Sequence, residues 1–235
     1  MKIVVRKDAD RIHKKDTWKT SAYAFVPYQT HFGELCGFAD DVIEPGAGFG
    51  MHPHQNMEIS TIVATGAQVH KDNTGGVATI DENTVQVMSA GTGIMHSEFN
   101  ASETKQVHSF QIWVYPKLQN VAPGYRQCVF KPADNLNNIL LVISPDGRNQ
   151  TATINQDAYF SLLELQAGHT IVYKLHQPGN GVYIHHVAGH TQVEGYEPGP
   201  GDGVGVYETD EVTIGAVQHS KLIFVEVPMH RGVKL

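Results

Sequence analysis

Two short segments carry the residue types that could do chemistry. The first is Gly48-Phe49-Gly50-Met51-His52-Pro53-His54-Gln55-Asn56-Met57-Glu58, and the second is Ser89-Ala90-Gly91-Thr92-Gly93-Ile94-Met95-His96-Ser97-Glu98. Side chains alternate along a strand, so residues two apart share a face. His52 and His54 therefore point the same way, with Glu58 at the same parity, and His96 and Glu98 form a second same-face pair. If the two strands pack across one cavity, the imidazoles and carboxylates converge on one point. Neutral imidazole suits first-row divalent metals, and a carboxylate balances charge. Three histidines and one glutamate leave one or two octahedral positions open for substrate or dioxygen. The residue set admits iron(II), manganese, nickel, copper and zinc without ranking them.

The elements that must position these groups read as strands. Pro53 cannot donate to a β-ladder, which places the His52-Pro53-His54 segment at an edge or a bulge. Gly91 and Gly93 supply the tight turn before His96. Residues 2–7, 35–43, 59–64, 84–88, 96–99 and 107–115 are strand candidates, the third continuing from the histidine segment. Residues 73–76 read as a hairpin connection and 8–28 as loop or irregular chain. Further candidates are 139–143, 159–165, 170–173, 181–187 and 221–227, and no segment keeps an amphipathic helical repeat over three turns. The fold class is all-β.

A weak internal echo sets residues 63–69 against 187–193, and 91–98 against 201–208, with Val206 falling where His96 stands. It points to two similar β-barrels in tandem, the ligand constellation only in the first, and a break near 117–126. The expected domains are 1–120, metal-binding, and 121–235, without metal ligands.

The chain has 235 residues, a formal net charge of -7 and no basic run, which argues against direct nucleic-acid binding. Its two cysteines, Cys36 and Cys128, lie far apart and fit a reducing compartment. Without a signal-like or membrane-spanning apolar run, a cytoplasmic protein is expected. The remaining histidines read as structural or incidental: His108 as structural, His70 as exposed, and His185, His186 and His190 as no chelate. Trp113 and Tyr115 read as core.

The two segments also carry a family resemblance. Gly46 with His52-X-His54 and Glu58 resembles the first cupin motif, and Gly93-X-X-His96-X-X-X-Asn100 the second. His52-Pro53-His54, residues 88–98 and the flanks 41–44 and 111–116 are more closely similar to the pirin family, especially its bacterial pirin-like members. That resemblance implies a bicupin of two tandem double-stranded β-helix (jelly-roll) barrels, with metal in the first. It implies the ligands His52, His54, His96 and Glu98, whereas cupins at large use the first-motif glutamate, here Glu58. The activity it implies is that of quercetin 2,3-dioxygenase, with iron(II) foremost. A flavonol-like aromatic enol would be opened by O2 with loss of carbon monoxide, and Glu98 or Glu58 would serve as base. The alternative it implies is a non-catalytic, iron-dependent redox sensor that binds a protein partner. The match is looser at the N-terminus, where residues 18–28 and His31 only approximate the family's aromatic segment.

Overall fold

Alternation along single strands builds this molecule, and in the first half it separates polar from apolar rather than wet from dry. In strand Val107–Val114, Phe110, Ile112 and Val114 join a large apolar cluster, while Ser109 and Gln111 on the other face bond inward to polar partners. Both faces are covered. The computed structural model describes residues 1–131 and 133–235. Among the described residues there is no α-helix, and two three-residue 3₁₀ turns, Asp8–Asp10 and Arg148–Gln150, are the helical content.

The strands form two pairs of sheets. A nine-stranded sheet runs, in spatial order, Gly124–Val129, Thr84–Ser89, Glu58–Thr65, Val107–Val114, Leu35–Ile43, Lys19–Phe25 and Ile12–Lys15, with His31–Phe32 and Val233–Lys234 attached beside it. Its companion is a four-stranded sheet in the order Gly48–His54, Ile94–Asn100, Ala67–Asp72 and Val77–Asp81. The second pair comprises a seven-stranded sheet, which includes Asn180–Ala188, Ser220–Pro228 and Tyr159–Leu165, and a three-stranded sheet of Thr170–Lys174, Glu211–Ala216 and Thr191–Val193. This is the bicupin architecture expected from the sequence.

The two large sheets pack back to back. Phe25, Phe38, Phe110 and Ile112 of the first meet Phe160, Tyr183, Ile223 and Val225 of the second in one buried cluster. In the second barrel Tyr173, Ile184, Val204, Val206, Ile214 and Phe224 pack together as an apolar cluster, with the buried Glu226 carboxylate accepting from the Tyr173 hydroxyl. Val206, at the place of His96 in the sequence echo, is thus a core residue. Three strands cross the expected boundary at residue 120. Lys2–Arg6 pairs with Gly203–Tyr207, Gly124–Val129 pairs with Thr84–Ser89, and Val233–Lys234 pairs with His31–Phe32.

Residues 8–28 correct the sequence reading. They contain strands Ile12–Lys15 and Lys19–Phe25, the latter paired with Leu35–Ile43. Tertiary pairing overrides a weak local pattern here. The outermost strand, Ile12–Lys15, carries Lys14 and Lys15, charges that discourage further edge pairing.

Candidate metal centre

The four-stranded sheet positions the cluster. Its second strand, Ile94–Asn100, pairs with Gly48–His54 on one side and Ala67–Asp72 on the other, both antiparallel. His96 lies opposite His52 across the first pairing, and a register shift follows between His96 and Glu98. The two motif segments are therefore neighbours in one sheet rather than opposite walls of a cavity. Gly48–His54 is an outer strand of that sheet, the setting Pro53 requires.

His52, His54 and His96 come together, with ligand-capable atoms within 4.8 Å of one another. The Gly50 carbonyl accepts from His52 Nδ1 at 2.8 Å, which leaves Nε2 of that ring as the free lone pair. Nε2 of His54 and Nε2 of His96 are buried with no hydrogen-bond partner. Burial, then the nearby His52, lowers His54 to about 4 and His96 to about 3, so both rings are neutral at pH 7. Imidazoles gathered in this way, two of them with a buried and unpartnered Nε2, suit a divalent first-row metal.

Glu98 is 1% exposed. Its Oε1 accepts from the Thr61 hydroxyl at 3.3 Å and its Oε2 from Gln111 Nε2 at 2.5 Å. Gln111 is oriented in turn by Trp113, whose indole N–H donates to Gln111 Oε1 at 2.9 Å. Burial pushes Glu98 up to about 7, against the opposing pull of these two hydrogen bonds. Its carboxylate groups with His96 and a fourth imidazole, His70, in a second convergent set.

His70 corrects the sequence reading, which placed it at the surface. It is fully buried, on strand Ala67–Asp72, and sits opposite Glu98 in the register. The signal available was His70-X-Asp72 before the 73–76 turn, a same-face pair on a strand the local sequence did not announce. Glu58 is placed elsewhere. It opens strand Glu58–Thr65 of the large sheet, where its Oε2 accepts from Ser89 Oγ at 2.7 Å and from the Asn155 amide at 3.1 Å. It belongs to neither convergent set. Parity does not carry from His54 to Glu58 because the chain leaves one sheet for the other between them, with Asn56 at φ 49°.

A cavity of about 230 Å³ opens beside His52 and His54, walled by Tyr23, Phe38, Phe49 and Trp113. Trp113, read from sequence as core, is a wall of this cavity, its ring edge-on to His54 at 4.9 Å between centroids. The Lys19 ammonium is the cation in the wall, 3.6 Å from Asp41, 3.2 Å from the Tyr23 hydroxyl and 4.6 Å from the centre of the Phe49 ring. The residues read as structural lie away from the cluster. His108 bonds Asp40 at 2.6 Å, and His186 bonds the Thr191 hydroxyl at 2.7 Å.

Two barrels in tandem, with imidazoles clustered in the first and in no such group in the second among the described residues, define a bicupin with a candidate metal site. The chain belongs to the pirin family. The family model described as Pirin matches residues 5–114, and that described as Quercetinase C-terminal cupin domain matches 141–227. A quercetin 2,3-dioxygenase of Escherichia coli is 34% identical over 236 residues, covering 96% of this chain and 99% of that protein. A pirin-like protein of Caulobacter vibrioides is 35% identical over 203 residues, covering 86% and 87%. The crystal structure of the bacterial pirin YhhW from Escherichia coli in complex with nickel(II) superposes with a TM-score of 0.89 at 33% identity, covering 97% and 99%.

Proposed function

We propose that this chain is a metal-dependent dioxygenase that opens flavonol-type enols such as quercetin with O2. The observation that carries the reading is the convergence of His52, His54 and His96, the first two lining an aromatic-walled cavity, with the buried Glu98 carboxylate grouped beside His96. His52, His54 and His96 would hold the ion, with Glu98 as the fourth ligand. The bound ion would serve as Lewis acid and template, keeping enolate and dioxygen together. Iron(II) is the ion proposed. Nickel is the nearest competitor, since one solved relative is a nickel(II) complex, and manganese, copper and zinc suit the same donors.

The chain's own groups would do the rest. Tyr23, Phe38, Phe49 and Trp113 would sandwich a planar ring and exclude water, and Lys19 would favour a substrate with an ionised hydroxyl. A carboxylate placed beside the bound substrate is suited to take a proton from an enol. Glu98 is assigned that role in preference to Glu58 because it groups with the imidazole cluster through His96, whereas Glu58 belongs to neither convergent set. Relatives named as quercetin 2,3-dioxygenases support the substrate class.

Oxygen uptake by the iron(II)-loaded protein with quercetin tests this, beside His54→Ala. Uptake in the parent, lost in the variant, is the expected result. No uptake by protein that still binds iron stoichiometrically would sink the activity. A second reading, an iron-dependent redox sensor that docks a protein, draws on Met51, Met95 and Phe99. These side chains are 52%, 41% and 41% exposed on the strands that carry the histidines. It requires partner recovery to differ between oxidised and reduced iron forms, and equal recovery removes it. No helix among the described residues is long and apolar enough to cross a membrane.

A further inference from the structure

His70 has no part in the proposed ligand set, yet it is fully buried against it. One ring nitrogen, Nδ1, lies 3.4 Å from Nδ1 of His96, and the other, Nε2, lies 3.3 Å from Oδ2 of Asp72. Tyr125 covers the ring at 4.9 Å between centroids. The sheet register explains the arrangement. Asp72 stands opposite His96 and His70 opposite Glu98, so these four side chains share the inner face of two adjacent strands.

Asp72 is fixed as a carboxylate acceptor. Its Oδ1 takes hydrogen bonds from the Thr74 amide at 2.8 Å, the Thr74 hydroxyl at 2.6 Å and the Gly76 amide at 3.1 Å. All three are donors, and the turn is shaped around them: a β-carbon on Gly76 would collide with Asp72 Oδ2. Oδ2 therefore faces His70 as an acceptor, and His70 Nε2 must carry the proton. A neutral imidazole with Nε2–H has a bare Nδ1. That bare Nδ1 faces His96 Nδ1, and two bare nitrogens at that distance in a dry interior would repel, so His96 Nδ1 carries a proton. The only nitrogen then left bare on His96 is Nε2, which is buried without a partner. The opposite tautomers would set a lone pair against the Asp72 carboxylate and place the His96 proton on Nε2.

We propose that His70 is a positioning residue that relays Asp72 to His96, fixing His96 as the Nδ1–H tautomer with Nε2 free for the ion. Ligating histidines commonly donate their second N–H to a carboxylate or carbonyl, which sets ring orientation and donor strength. Here an extra imidazole is interposed between carboxylate and ligand. The proposal rests on the metal site described above but not on the reaction assigned to it.

Two measurements test it. In the metal-free protein with ¹⁵N-labelled histidine, His96 should show a protonated Nδ1 and an unprotonated Nε2, with His70 neutral and protonated at Nε2. A proton on His96 Nε2, or an imidazolium at His70, overturns the proposal without needing any variant. The second measurement is nickel(II) affinity by chelator competition. His70→Leu should weaken binding about 10–100-fold, the range for loss of an outer partner of a ligand. His70→Gln should stay within a few-fold of the parent, because its amide oxygen can accept from His96 while its amide nitrogen donates to Asp72. Glutamine behaving as badly as leucine would make His70 a ligand rather than a relay, and leucine matching the parent would remove the role. If the parent binds no nickel, the metal reading fails by itself, while the tautomers remain measurable.

Discussion

Burial acts on the histidines of this chain in two different ways. For His54 and His96 it keeps the rings neutral and their Nε2 lone pairs available. For His185 it brings only a penalty. That ring is fully buried between Phe38 and Phe110, at 4.6 and 5.3 Å between centroids, and neither nitrogen has a partner. Burial lowers it to about 3. The unfolded ring takes a proton below about 6.5, so between there and about 3 the unfolded state binds more protons and stability falls as pH falls. Above that window the term is level. His185→Leu should therefore stabilise the protein by about 1 kcal/mol at pH 7 through removal of two unsatisfied polar atoms. At pH 5 the gain should be larger by about 2 kcal/mol. Urea unfolding at the two pH values checks this, and an equal gain at both would contradict the assignment.

Elements decide how far a same-face argument reaches. Within one strand the alternation was readable: His52 with His54, and His96 with Glu98, fall on shared faces. Across the break at 55–57 it failed for Glu58, because a change of sheet resets the phase. His70 was readable only as a same-face partner of Asp72, since nothing local says that Ala67–Asp72 lies beside Ile94–Asn100. The strands around 12–25 were hidden for a related reason, as their order comes from pairing with Leu35–Ile43. Sheet geometry also makes one glycine matter more than its neighbour. A β-carbon on Gly48 would collide with the Glu98 carbonyl and Phe99 Cα, whereas one on Gly50 meets nothing within 4 Å. Gly48→Ala should push the His52 strand off the His96 strand, destabilising by about 1–3 kcal/mol and weakening nickel affinity about tenfold. Gly50→Ala should stay within about 0.5 kcal/mol of the parent. Chemical unfolding and chelator competition on both variants would show it, and matching behaviour of the two would refute the strand-contact argument.

At the scale of the whole molecule, the two barrels are joined by a seam rather than a linker. The seam is apolar over most of its extent, but a polar network pins one part. Arg11 donates to Asp40 at 2.8 Å and to the Gly201 carbonyl, across the seam, at 3.0 Å, while His108 donates to the other Asp40 oxygen at 2.6 Å. Burial alone would raise Asp40, but the His108 and Arg11 hydrogen bonds outweigh it and hold the carboxyl at about 2. Its folded value is depressed, so its contribution is present above the unfolded value near 4 and is lost as pH falls toward 2. Asp40→Asn should cost about 2 kcal/mol at pH 7, and the difference from the parent should shrink through that acid window. Because Phe38, Phe110, Phe160 and Tyr183 share one cluster, neither large sheet can keep its back covered alone. The terminal strands reinforce this, the first pairing in the second barrel's sheet and the last in the first barrel's. Calorimetry should therefore show one transition, with calorimetric and van't Hoff enthalpies equal. Asp40→Asn should move that single peak down without splitting it. Two resolved peaks in the parent would mean that the barrels unfold separately and that the seam contributes little to holding the metal-bearing sheet in place.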